Sequence, residues 1–110
     1  MNIFHKGLKS RWKNFSIFMQ MSNIGAEVGR ALKWRKRGSR EMSKNALYRA
    51  LELIDFTIED KKNKNCLKEI CRIRELLVDD FVGKNIYHST DEVWEKYFYA
   101  FNFAASMEKI

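Results

Sequence analysis

The sequence predicts an all-α fold: an antiparallel up-down-up-down four-helix bundle with an extra basic N-terminal segment. Three observations predict it. The 110 residues contain no proline and only five glycines, which favours long unbroken helices over turn-rich strands. Apolar residues recur at three- and four-residue steps, the period of an amphipathic helix. The stretches that interrupt this period are short, so successive helices should be antiparallel neighbours. The length suits one domain with a sizeable core. The pattern divides it into a basic amphipathic extension over 1–20 and the bundle over 21–110.

Residues 1–20 contain no acid. On a helical wheel Phe4, Leu8, Trp12, Phe15, Phe18 and Met19 gather on one side, with Lys6, Lys9 and Lys13 opposite. Such a segment fits a helix in a membrane interface, a helix packed on the domain, or a basic arm. Met19 and Met21 are alternative starts, so the segment also reads as disordered or as an extension not normally translated. It lacks the continuous apolar core and small-residue cleavage site of a secretory signal.

The first bundle helix is expected over Ser22–Arg37, with Ser22 as N-cap and Gly38 as the left-handed residue after its end. Ile24, Val28, Ala31 and Leu32 form its inward stripe, flanked by Trp34. Ser39 then caps a second helix over Arg40–Glu59, with Met42, Ala46, Leu47, Ala50, Leu53, Ile54, Thr57 and Ile58 inward. A polar connector, residues 60–65, leads to a third helix over Cys66–Val82, ended by Gly83. Its inward face reads Leu67, Ile70, Cys71, Leu77, Val78, Phe81 and Val82. The fourth helix opens on a Ser89/Glu92 capping box. Val93, Trp94, Tyr97, Phe98, Ala100, Phe101, Ala104 and Ala105 make it the expected main donor of hydrophobic surface.

Charge is unevenly spread. Residues 1–40 hold ten bases against Glu27 alone, a net +9, and the remainder is slightly acidic at −2. Six bases, Arg30, Lys33, Arg35, Lys36, Arg37 and Arg40, surround the predicted turn between the first two helices. With the amides that follow Gly38 and Ser39, and with Trp34 to stack, they form a candidate anion or nucleic-acid (RNA) site. The plainer alternative is a solvated face whose cations favour a helix C-terminus.

Arg74 falls at the centre of the third helix's apolar face. A buried guanidinium needs a carboxylate, and Glu27, Glu52 and Asp55 are the candidates in that order. The pair would either fix helix register or form an anion site. Tyr99, Phe103 and Met107 lie off the fourth helix's apolar face and mark a candidate dimer or partner surface. No metal site, cofactor or catalytic residue is assigned. His5 and His88 stand alone in polar surroundings, and Cys66 and Cys71 fit no metal or redox spacing. No run reaches the ~18–20 apolar residues of a membrane span. A reducing cytoplasm is the expected setting.

The hairpin ALKWRKRGSREMSKNALYRALELIDFTIED, followed by KEICRIRELLVDDFVG and an aromatic closing helix, resembles small bacterial helical proteins similar in layout to the HEPN class. The likeness covers residues 22–106. It implies a helical bundle that partners a small nucleotidyltransferase, or a ribonuclease. HEPN ribonucleases carry an Arg beside a polar residue and a His four to six positions later. No Arg stands at that distance before His5 or His88, so the resemblance implies a binding bundle and carries over no catalytic residue. The expectation from the chain is a non-enzymatic, self-associating interaction protein, with nucleic-acid binding at residues 30–40 as the alternative.

Overall fold

The computed structural model describes residues 7–108. Phe4, His5 and Lys6 of the predicted N-terminal helix lie outside that range. The described residues form α1 (Lys9–Trp12), α2 (Ile17–Lys36), α3 (Arg40–Glu59), a 3-10 helix (Lys61–Cys66), α4 (Leu67–Phe81) and α5 (Asp91–Met107), with no strand. The fold is all-α.

The helix that organises the core is α2, not the aromatic closing helix. It packs closely against both α3 and α5, while α4 lies against α3. The reason is visible in its sequence. Met21, Ile24, Val28, Ala31 and Leu32 are buried on one broad face. Gly25, beside that face, lets α5 approach until a Cβ there would stand 2.8 Å from Phe98 Cβ. Polar pairs fix the register. Ser16 Oγ donates to Glu108 (2.7 Å), Ser22 Oγ to the Asn102 side-chain Oδ1 (2.6 Å) and Arg35 to Asp91 (3.0 Å), so α2 and α5 run antiparallel. On its other flank Ser43 Oγ donates to the Ala31 carbonyl at 2.8 Å and Glu27 pairs with Arg49 at 2.6 Å, so α3 also runs antiparallel to α2.

The predicted start of the first bundle helix is corrected by six residues. Ser16, not Ser22, is the N-cap of α2: its hydroxyl accepts from the Met19 amide at 3.1 Å. The boundary between residues 20 and 21 therefore falls inside a helix. Residues 7–20 before it are packed on the domain. Trp12 is 1% exposed, and its indole donates to Thr57 Oγ1 at 2.9 Å. Buried Gln20 donates to the Trp12 carbonyl and to Asp60, both at 2.9 Å, and accepts from Asn63 at 2.8 Å. Asn63 also donates to the Thr57 carbonyl. The expected polar connector is thus a 3-10 helix pinned by its buried amide.

At the far end of α2 the prediction matches. Gly38 has φ +84°, its amide returns to Arg35 O, and the Ser39 amide returns to Trp34 O. This is a Schellman stop followed at once by the Ser39 cap of α3. Helix α5 begins one residue later than the predicted box: Thr90, not Ser89, accepts from the Val93 amide. Val93 and Ala100, both expected inside, are exposed. Met42, Leu67, Cys71 and Val82 are likewise exposed, each at the edge or end of its helix, while Ile73 is buried.

Candidate functional site

Three places were marked by the sequence, and the fold treats them differently. On α5, Trp94, Phe98 and Ala105 are buried. At 3.6 residues per turn the side chains of Tyr99, Phe103 and Met107 project from the opposite side. They are 68%, 59% and 52% exposed. Val93 and Ala100, also exposed, extend the same face, which carries Glu92 and Lys96 as well. Tyr99 continues it into a groove of about 200 Å³ between α2 and α5, lined by Gly25, Val28, Gly29, Leu32, Glu95 and Asn102 among others. The outcome is a set of exposed apolar side chains on one face of α5, interrupted by Glu92 and Lys96, with no other helix of the described residues over it.

The basic turn is divided. Arg35 is half-buried, and its guanidinium bridges Asp80 and Asp91, both at 3.0 Å, while lying 4.0 Å from the Phe81 ring centre. Burial pulls its pKa down, but the two carboxylates outweigh burial and leave it raised. Arg30 pairs with Glu27. Neither is available to an outside anion, and the Gly38 and Ser39 amides are consumed by the helix stop. The Met42 amide is taken by Ser39 Oγ. Lys33, Lys36, Arg37 and Arg40 remain exposed without a carboxylate partner among the described residues, and Arg37 lies 5.6 Å from the Trp34 ring centre. The geometry keeps four of the six predicted cations and removes the amide cradle.

Arg74 is not centrally buried. It pairs with Asp55, the last of the three predicted partners, Nε to Oδ1 at 2.8 Å, and both side chains are more than a third exposed. Glu27 serves Arg30 and Arg49 instead. Glu52 is half-buried on α3. A pair this exposed contributes roughly 0–1 kcal/mol, which makes it a register contact between α3 and α4 rather than an anion site.

The buried ion pair that sequence reasoning missed is the Arg35–Asp80 pair. Asp80 is 5% exposed, and Trp94 Nε1 also donates to it at 2.8 Å, so one carboxylate ties α2, α4 and α5 together. The signal was present: Asp80 stands three residues after Leu77, in step with the apolar face of α4. A second polar tie joins α4 and α5. Tyr97 donates to Glu69 at 2.9 Å, and burial together with that carboxylate pushes its phenol pKa well up, so it serves as a neutral donor.

His88 is exposed in the loop before α5, with φ +56°. The two thiols are free and exposed. Among the described residues no group of His, Cys, Asp or Glu has the arrangement of a metal site. Among the described residues no helix is long and apolar enough to cross a membrane. No family model, curated protein or solved structure matches this chain.

Proposed function

We propose that this chain is a non-enzymatic, cytoplasmic interaction protein in which α2 to α5 form an antiparallel up-down-up-down bundle that self-associates through α5. The observation that carries the reading is the exposed strip of Val93, Tyr99, Ala100, Phe103 and Met107. Monomers rarely leave contiguous apolar surface beyond roughly 300–600 Å² in water, and burying one large side chain gains roughly 1.5–3 kcal/mol.

A second copy fits the strip by its order. Ala100 is small and central, Val93 and Met107 lie seven residues to either side, and Lys96 and Phe103 flank it unequally. Antiparallel pairing about Ala100 sets each Lys96 near the other copy's Phe103, a cation over a ring, and each Val93 near Met107. The resemblance to the HEPN class implies a small nucleotidyltransferase as the alternative partner. Tyr99→Ser with Phe103→Ser is expected to give a folded monomer by light scattering, with helical circular dichroism retained. An unchanged assembly size would count against the α5 contact.

Nucleic-acid binding at the α2–α3 turn is the second reading, supported by the four unpaired cations Lys33, Lys36, Arg37 and Arg40. Their charge suits salt-sensitive phosphate contacts without sequence preference.

A further inference from the structure

A second basic surface lies in the part of the chain whose overall charge is slightly acidic. Between residues 61 and 72 five bases accompany a single acid, Glu69. That acid is turned toward α5, where it accepts from Tyr97. Side chains three apart eclipse on a 3-10 helix, and side chains four apart share one face of an α-helix. Lys61 and Lys64 therefore share one side of the 3-10 helix, and Lys68 and Arg72 share the outer side of α4 that follows it directly. Ile70, Ile73 and Leu77 point the opposite way into the core. All four bases are exposed, and none has a carboxylate partner among the described residues. The fifth, Lys62, is held inward by Asp60 and by the Lys13 carbonyl at 2.9 Å.

An aromatic ring lies at the Arg72 end: the Arg72 guanidinium is 5.0 Å from the centre of exposed Tyr87. That ring is held in place. The Asp79 carboxylate accepts from the Ile86 and Tyr87 amides at 3.0 and 3.2 Å, and the phenol donates to Glu75 at 3.1 Å.

Exposed cations free of acid partners on adjoining helices, with a held ring beside the last of them, are the elements of a single-strand binding surface. We propose that Lys61, Lys64, Lys68, Arg72 and Tyr87 bind the backbone of a single-stranded nucleic acid. The proposal is independent of the α5 strip. It also places the contact on a different surface from the α2–α3 turn.

The test is fluorescence anisotropy of a labelled oligouridylate with the full chain over a series of salt concentrations. Lys64→Glu with Lys68→Glu is compared with Lys44→Glu with Lys84→Glu, which changes total charge equally at exposed bases the α2–α3 turn and the proposed site do not use. The first variant is expected to bind at least about tenfold more weakly. Its log–log salt slope should be shallower by about 1.4, the loss of two single-strand phosphate contacts. The second variant should stay within about threefold of the parent, and Tyr87→Ala should weaken binding with the salt slope unchanged. Equal losses in both charge variants, an unchanged affinity in the first, or no binding by the parent would overturn the proposal. So would equally tight binding of a duplex of the same length. Should the glutamate variant fold poorly, Lys64→Gln with Lys68→Gln removes the same two contacts and must show the same shallower slope.

Discussion

Trp12 joins the first helical turn to the core through a buried ring and one hydrogen bond to Thr57. Trp12→Ala leaves a cavity beneath α1 and an unmet acceptor at Thr57, so thermal unfolding should show a loss of about 3–5 kcal/mol. Arg11→Ala, on an exposed neighbour, should stay within about 0.5 kcal/mol. Asp60 gives the same knot a pH dependence. Burial pushes its carboxyl up, but donors from Lys62 and Gln20 outweigh that and hold it below the usual carboxylate range. A lowered folded-state pKa means the contribution is complete above the unfolded value of about 3.9 and is lost as pH falls through the folded value. Acid titration of Asp60→Asn should therefore show a shallower fall in stability below about pH 4 than the parent.

At this scale the sequence misleads for a definable reason. Periodicity reports where a side chain points along its own helix, not which element covers it. Trp12 was correctly placed on an apolar side, yet nothing local shows that α3 lies over it. Arg74 stood at core spacing but reaches the edge to meet Asp55, as a long side chain can.

Among elements, the two glycines of α2 separate packing from propensity. Gly25 meets Phe98 of α5 where a Cβ would stand at 2.8 Å, whereas nothing lies within 4 Å of a Cβ at Gly29. Gly25→Ala should cost about 1–3 kcal/mol by forcing α5 outward. Gly29→Ala should stabilise by about 0.5–1 kcal/mol, since alanine favours the helix and touches nothing new. Chemical denaturation of the two variants checks both signs, and a gain at Gly25 would contradict the close α2–α5 approach. Helix interiors and the Gly38–Ser39 turn were legible because pattern and cap chemistry agree there. The starts of α2 and α5 were not, since Ser16 competes with Ser22, and Thr90 with Ser89, for a cap that either side chain can form.

Across the whole molecule, the net charge of +7 conceals how the cations are arranged. The first third supplies most of the excess, yet Arg30 and Arg35 are engaged by acids, and a separate group of bases lines the 3-10 helix and α4. Linear counting could not find that group, because its residues belong to a segment that is acidic on average. The apolar strip was legible as Tyr99, Phe103 and Met107, since three large side chains off the core face need some other cover.

Self-association through that strip is the central claim, and sedimentation equilibrium of the native chain over a concentration series tests it most directly. The chain has a mass of 13.2 kDa. An apparent mass that rises toward twice this value with concentration, and falls back in the Tyr99→Ser, Phe103→Ser variant, is the predicted result. A mass that stays at 13.2 kDa at every concentration would contradict it.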